Sequence, residues 1–167
     1  MKNINFILVC LLPHIFLSSE VSAAKVEVHW LSPDKYHDIK PGDNNRKTFE
    51  ANVFRNFENH FTKLANQLPA DQTLKIDVTD VDLAGDVNYG GIHRIRIVEE
   101  LFFPRIKFSY KLENADKSLA DSGDINLKDM NFMTSSNLRY RNDAFGYDKR
   151  MIDNWFKKTF KVQLLKK

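Results

Sequence analysis

Alternating apolar and polar residues predict most of the strands in this chain. The clearest run is 74–79, in which Leu74, Ile76 and Val78 alternate with polar residues, as expected for a strand with one face in a core. The same alternation predicts strands in four other segments: 26–30, 93–98, 106–112 and 119–127. Gly123 is the expected position of a β-bulge in the last of these.

A spacing of three to four residues predicts two amphipathic helices. The first follows Asn45 and ends before Pro69, with apolar residues at positions 49, 53, 54, 57, 61, 64, 65 and 68. The second covers about 147–160 and has Asp148 in its first turn. The order of strand, helix, several strands and helix predicts an α+β domain, with a mainly antiparallel sheet of about four to six strands and both helices packed on one face.

Residues 1–24 have the pattern of a secretory signal peptide. Lys2 is followed by a mostly apolar run over 4–17 and by small residues before Lys25, which predicts cleavage after Ala23 or Ala24. The apolar run is short and is interrupted by Pro13, so it does not favour a membrane anchor. Residues 25–167 are then expected to form a single globular domain in the periplasm or outside the cell.

The composition bears on disulfides, thiol chemistry and nucleic-acid binding. Cys10, the single cysteine, lies within the predicted leader and follows Val9, which does not fit a lipoprotein signal. The mature chain would therefore lack disulfides and thiol nucleophiles, and its 13 Phe, 5 Tyr and 2 Trp would have to supply the core. A net charge of +3 without a basic stripe or a nucleic-acid motif predicts no nucleic-acid partner.

The acidic residues after the 74–79 strand are the densest cluster of candidate ligands. Asp80, Asp82 and Asp86 partly follow the order of a calcium-binding loop. The pattern fails at Ala84 and at Gly91, where an oxygen ligand and a bidentate glutamate are required.

We therefore interpret 80–86 as a charged turn. The Gly90–Gly91 pair predicts that the chain reverses and pairs 93–98 with the 74–79 strand, which would bring Arg94 or Arg96 to these carboxylates.

Other catalytic patterns are incomplete. Asp121-Ser122-Gly123 occurs once, whereas aspartic proteases bring two such carboxylates together. The four histidines outside the leader do not have the helical i, i+4 spacing of zinc hydrolases, and no Gly-x-Ser-x-Gly motif is present. The sequence therefore predicts no metal site and no cofactor.

Three blocks carry a resemblance to a known family. They are TDVDLAG at 79–85, DMNF at 129–132 and YDKRMIDNWF at 147–156. In these blocks the chain resembles the bacterial exported family catalogued as domain of unknown function 3016. The resemblance implies a periplasmic or envelope protein of a Gram-negative bacterium and transfers no catalytic residue.

The sequence favours a non-enzymatic domain that binds an unknown envelope protein or ligand. The expected surfaces are the acidic end of the 74–79 strand and the segment 139–150, with candidate residues Asp80, Asp82, Asp86, Arg94, Arg96, Asp129 and Arg150. The alternative is a hydrolase or metal-dependent enzyme that uses Asp80, Asp82 and Asp86. The Lys-rich C-terminus, interleaved with apolar residues, suits peripheral contact with an anionic membrane surface.

Overall fold

A computed structural model describes residues 24–134 and 138–165. These residues contain a four-stranded sheet, a two-stranded sheet and three α-helices. The strands are β1 Lys25–Trp30, β2 Thr73–Asp82, β3 Asp86–Val87, β4 Arg96–Ile97, β5 Arg105–Glu113 and β6 Leu119–Lys128. The helices are α1 Arg46–Ala65, α2 Gly146–Thr159 and α3 Lys161–Leu164.

The larger sheet has the order β1-β2-β5-β6. β1 and β2 run parallel and are joined by α1, whereas β2–β5 and β5–β6 are antiparallel pairs. The predicted α+β fold with a mainly antiparallel sheet is thereby confirmed.

Both long helices cover the same face of this sheet. Phe61 of α1 and Trp155 of α2 both pack against the ring of Phe108 on β5, at centroid distances of 6.1 Å and 4.8 Å. The face beneath them is formed by the apolar residues of the alternating strands, and Leu74 and Ile76 are fully buried. The other face carries the polar residues of the same strands, such as Lys111 and Asp124, which lie in solvent.

Local signals explain where α1 begins. The side chain of Asn45 accepts a hydrogen bond from the backbone N–H of Thr48 at 3.1 Å, which caps the first turn. The helix ends at Ala65, three residues before Leu68 and four before Pro69. Its buried positions include Val53, Phe57, Phe61 and Leu64, as the spacing predicted.

Three local predictions were wrong. The segment 93–98 does not pair with β2, because β5 occupies that edge of the strand; β4 pairs with β3 instead. β2 continues through Asp82, so Asp80 and Asp82 lie on a strand and not in a turn.

Gly123 is the third case, since it lies in regular register opposite Tyr110 and forms no bulge. A Cβ there would lie 3.1 Å from Cε1 of Tyr110, so the glycine makes room for this ring.

The predicted leader, residues 1–24, lies outside the described residues except for Ala24, and its cleavage stays a prediction. Lys166 and Lys167 of the C-terminal basic segment are also outside them. Within the described part of the chain, no helix has the length and apolar content needed to cross a membrane.

Candidate functional site

A cavity of about 640 Å³ opens beside the start of α2. Its walls come from the turn after β2, from β4 and its neighbour Val98, from α1, and from the segment 138–148. The lining is mainly apolar and aromatic: Phe49, Ala84, Val98, Leu138, Tyr140, Ala144, Phe145, Gly146 and Tyr147. Its polar lining residues are Arg96, Arg141, Asp143 and Asp148.

The segment that closes one side of the cavity, residues 138–145, is held by backbone and ring contacts. A 3-10 turn at Leu138–Tyr140 is continued by a hydrogen bond from the N–H of Asp143 to the carbonyl of Tyr140 at 3.0 Å. Phe145 then adopts a left-handed conformation, with φ of 56°, immediately before α2. Its ring packs edge-on against Phe49 and Phe57 of α1, which offsets the strain of this backbone conformation.

Asp148 lies in the first turn of α2 and is 3% exposed. The N–H of Ala84, just beyond β2, donates to its Oδ1 at 3.2 Å. Burial raises the pKa of this carboxyl to about 7, although the hydrogen bonds from backbone N–H groups and the nearby charge of Arg96 act in the opposite direction. A buried carboxyl group that titrates near neutral pH is typical of functional sites.

Arg96 borders the cavity, but its hydrogen bonds are made to the fold. Its Nη1 donates to Oδ2 of Asp38 at 2.9 Å and to the carbonyl of Gly85 at 2.6 Å. Its Nη2 donates to the carbonyl of Lys40 at 3.3 Å. Arg96 therefore joins the loop around 38–40 to the turn after β2, and its charge is already paired with Asp38.

The acidic residues of β2 have other partners than predicted. Asp80 lies 3.2 Å from Nζ of Lys107, and Asp82 accepts from Nε of Arg105 at 2.6 Å. Both cations belong to β5, whose antiparallel register places them opposite the two carboxylates. The interpretation that Arg94 or Arg96 pairs with Asp80 and Asp82 was therefore wrong.

The remaining residues of that prediction are dispersed. Asp86 lies 3.9 Å from Nζ of Lys40, and Arg94 lies 4.0 Å from Asp43. Across residues 24–134 and 138–165, no group of three or more His, Cys, Asp or Glu side chains is arranged to hold a metal ion. The geometry thus gives no support to a metal centre built from Asp80, Asp82 and Asp86.

Asp129 and Arg150 do come together. Nη2 of Arg150 lies 3.0 Å from Asp129 and donates to the carbonyl of Phe132 at 2.6 Å. The Arg150 side chain is only 8% exposed, so this pair fastens the loop after β6 to α2 and is not open to a ligand. With the bond between Ala84 and Asp148, it brings all three sequence blocks together around the start of α2.

A smaller, polar pocket of about 320 Å³ is also lined by residues of the segment 138–145. Nε2 of His60 is 3.0 Å from the carbonyl of Lys149, and burial lowers the pKa of His60 to about 4. Burial also lowers the pKa of Lys149, whose Nζ donates to Asn56 at 3.1 Å. Tyr140 and Asp143 line both this pocket and the larger cavity.

The cavity is lined in part by the predicted binding segment, whereas its buried carboxyl group was not among the predicted residues. The predicted binding segment 139–150 supplies most of one cavity wall, and Arg96 also lines it. In the sequence, Asp148 is recognisable only as an acidic residue in the first turn of a helix, where acidic residues are common. Its burial depends on how residues far apart in the chain pack over it, which no local pattern reveals.

No curated protein and no solved structure matches this chain. A family profile, described as protein of unknown function (DUF3016), matches residues 24–158. This match covers most of the chain and includes all three blocks that meet around α2. The chain therefore belongs to the family of proteins of unknown function DUF3016.

Proposed function

We propose that this protein is an exported, non-enzymatic binding domain of a Gram-negative periplasm or envelope. Its cavity beside α2 holds the apolar part of a small ligand or of a side chain from an envelope partner. The predicted leader supports export, and the family match begins at residue 24, where that leader ends.

The cavity carries this proposal. Its volume of about 640 Å³ lies within the range of roughly 300–1,000 Å³ of small-molecule sites. Apolar walls with a few polar groups are typical of such sites, and Asp148 and Arg96 provide those groups here. Leu138, 79% exposed, and Val98, 38% exposed, extend the apolar surface to the mouth.

The alternative of a hydrolase or metal-dependent enzyme finds less support. Asp80 and Asp82 are paired with Lys107 and Arg105, and Asp86 stands apart from them. None of the three lines the cavity. A hydrolytic or metal-dependent active site would need these carboxylates to face a common cavity.

A neutral apolar dye, N-phenyl-1-naphthylamine, tests the proposal. The periplasmic fraction of cells expressing the full chain provides the sample, and its intact mass shows whether the leader is removed near Ala23 or Ala24. We expect saturable binding with increased dye fluorescence. Ala84→Leu should weaken this binding at least about tenfold, because it places three extra carbons in a cavity wall.

Ala120→Leu is the matched control, because Ala120 is exposed on β6 and does not line the cavity. It should bind the dye like the unmodified protein. Circular dichroism verifies that both variants are folded. Absence of saturable binding, or an equal effect of the two variants, would refute the use of this cavity, and protein that retains its leader in the cytoplasm would refute export.

A further inference from the structure

We propose that the ligand of this cavity is an organic cation, an ammonium or amidinium group on an apolar body, with Asp148 as its counter-ion. This inference rests on the proposed function and specifies the chemical class of the ligand.

The first observation is that no basic side chain of the fold forms an ion pair with Asp148 in the described residues. The side chain is 3% exposed, and its Oδ1 accepts a hydrogen bond from the N–H of Ala84. Within the described residues, no Lys, Arg or His nitrogen lies within 4.0 Å of this carboxylate. A buried carboxylate without an ion-pair partner is costly, and a bound cation would supply the missing partner.

The second observation is that Arg96, the nearest candidate, is engaged elsewhere. Its guanidinium is paired with Asp38 at 2.9 Å and also donates to the carbonyls of Gly85 and Lys40. The Asp38 side chain is 6% exposed, so moving Arg96 towards Asp148 would leave Asp38 buried and unpaired. Asp148 therefore remains available to a cation from outside.

The third observation is the nature of the walls. Phe49, Tyr140, Phe145 and Tyr147 all line the cavity. Aromatic rings attract cations through their quadrupole, and sites for organic ammonium groups commonly combine such rings with a carboxylate. The same rings provide apolar surface for the body of the ligand.

Charge also argues against an anionic ligand. An anion at the base of the cavity would lie beside the ionised Asp148, whose repulsion a buried environment strengthens. Arg141 lines the cavity too, but it is exposed to solvent, where its charge is screened. A neutral ligand would leave the ionised form of Asp148 without a cationic partner.

Three phenyl-substituted probes that differ in their terminal group distinguish a cationic, a neutral and an anionic ligand: 4-phenylbutylamine, 4-phenylbutanol and 4-phenylbutyrate. Isothermal titration calorimetry is performed at pH 8, where Asp148 is largely ionised. We expect the amine to bind at least about tenfold more tightly than the alcohol, and the carboxylate to bind most weakly. Equal affinities for amine and alcohol, or a preference for the carboxylate, would overturn the inference.

Asp148→Asn should reduce the ratio of amine to alcohol affinity to about one while the alcohol still binds. Asp143→Asn is the control, since Asp143 lines the same cavity but its side chain is 44% exposed and lies 3.7 Å from Lys149. It should keep the preference for the amine. Retention of this preference by Asp148→Asn would contradict the role of Asp148, and the probe series on the unmodified protein remains decisive if that variant does not fold.

The inference and the proposed function fail separately. If N-phenyl-1-naphthylamine binds in the cavity but the amine probe is not preferred, the cationic class of the ligand is refuted and the proposed binding function stands. If neither the dye nor any of the three probes binds, both proposals are refuted.

Discussion

Two buried titratable residues make the stability of this protein depend on pH in opposite directions. The pKa of Asp148 rises from 3.8 to about 7 on folding, so the folded protein keeps a proton that the unfolded chain releases between these values. Its contribution to stability therefore falls as the pH rises from about 4 to about 7. The pKa of His60 falls from 6.5 to about 4, so its contribution rises with pH between these two values.

Asp148→Asn isolates the first effect. At pH 8 the variant should be more stable than the unmodified protein, by at most about 4 kcal/mol, because an amide carries no charge to bury and still accepts from the N–H of Ala84. At pH 4 the difference should be small, since the carboxyl is then protonated in the folded state. Urea denaturation at pH 4, 6 and 8 measures both values.

His60 is present in both proteins, so its effect cancels in this comparison. Asp143→Asn is the control variant, because Asp143 lines the same cavity but its side chain is half exposed. A gap between Asp148→Asn and the unmodified protein that is the same at all three pH values would contradict the prediction.

At the scale of elements, Arg96 is one of the residues that attach the hairpin of β3 and β4 to the rest of the fold. Its bonds to Asp38, Gly85 and Lys40 connect the loop around 38–40, the turn after β2 and β4. Arg96 and Asp38 are both largely buried, with side-chain exposures of 16% and 6%. Removing one partner from such a pair leaves an uncompensated buried charge.

Arg96→Gln should therefore destabilise the protein by about 3 kcal/mol or more. Arg94→Gln, two residues away, is the matched control, because Arg94 is exposed and lies 4.0 Å from Asp43; its effect should be within about 0.5 kcal/mol. Chemical denaturation at constant pH compares the two. Similar losses in both variants would show that the hairpin is not held through Arg96.

The same elements show what sequence can and cannot predict here. Alternation identified β1, β2, β5 and β6, because each has one face in the core, and helical spacing identified α1 and α2 for the same reason. The predicted strand partner of the 93–98 segment was wrong, because pairing depends on which strand occupies the edge of β2. The ion-pair partners of Asp80 and Asp82 were wrong with it, because they follow from the register with β5.

At the scale of the whole molecule, a cluster of buried apolar residues connects the four-stranded sheet with α1 and α2. Trp30 at the end of β1 packs against Phe54 and Phe57 of α1, whereas Trp155 of α2 packs against Phe108 and Tyr110 of β5. The two tryptophans thus lie in different parts of one core. That residues 25–167 form a single domain stays a prediction.

Equilibrium unfolding should accordingly be one cooperative transition. Trp30→Phe leaves Trp155, whose fluorescence reports on α2 with β5. Trp155→Phe leaves Trp30, whose fluorescence reports on α1 with β1. Within each variant, the urea transition seen by fluorescence should coincide with that seen by far-UV circular dichroism. Two separated midpoints would show that the chain contains two units of different stability.

The topology of the sheet also has a consequence for the order of folding. Glu113 pairs with Leu119 across the β5–β6 turn, Asp82 pairs with Arg105 across a longer connection, and Lys25 pairs with Thr73 across the longest. Each doubling of the loop length raises the entropic free energy of loop closure by about 0.6 kcal/mol, so this free energy is largest for the pairing of β1. We therefore expect the strand that directly follows the predicted leader to join the sheet last.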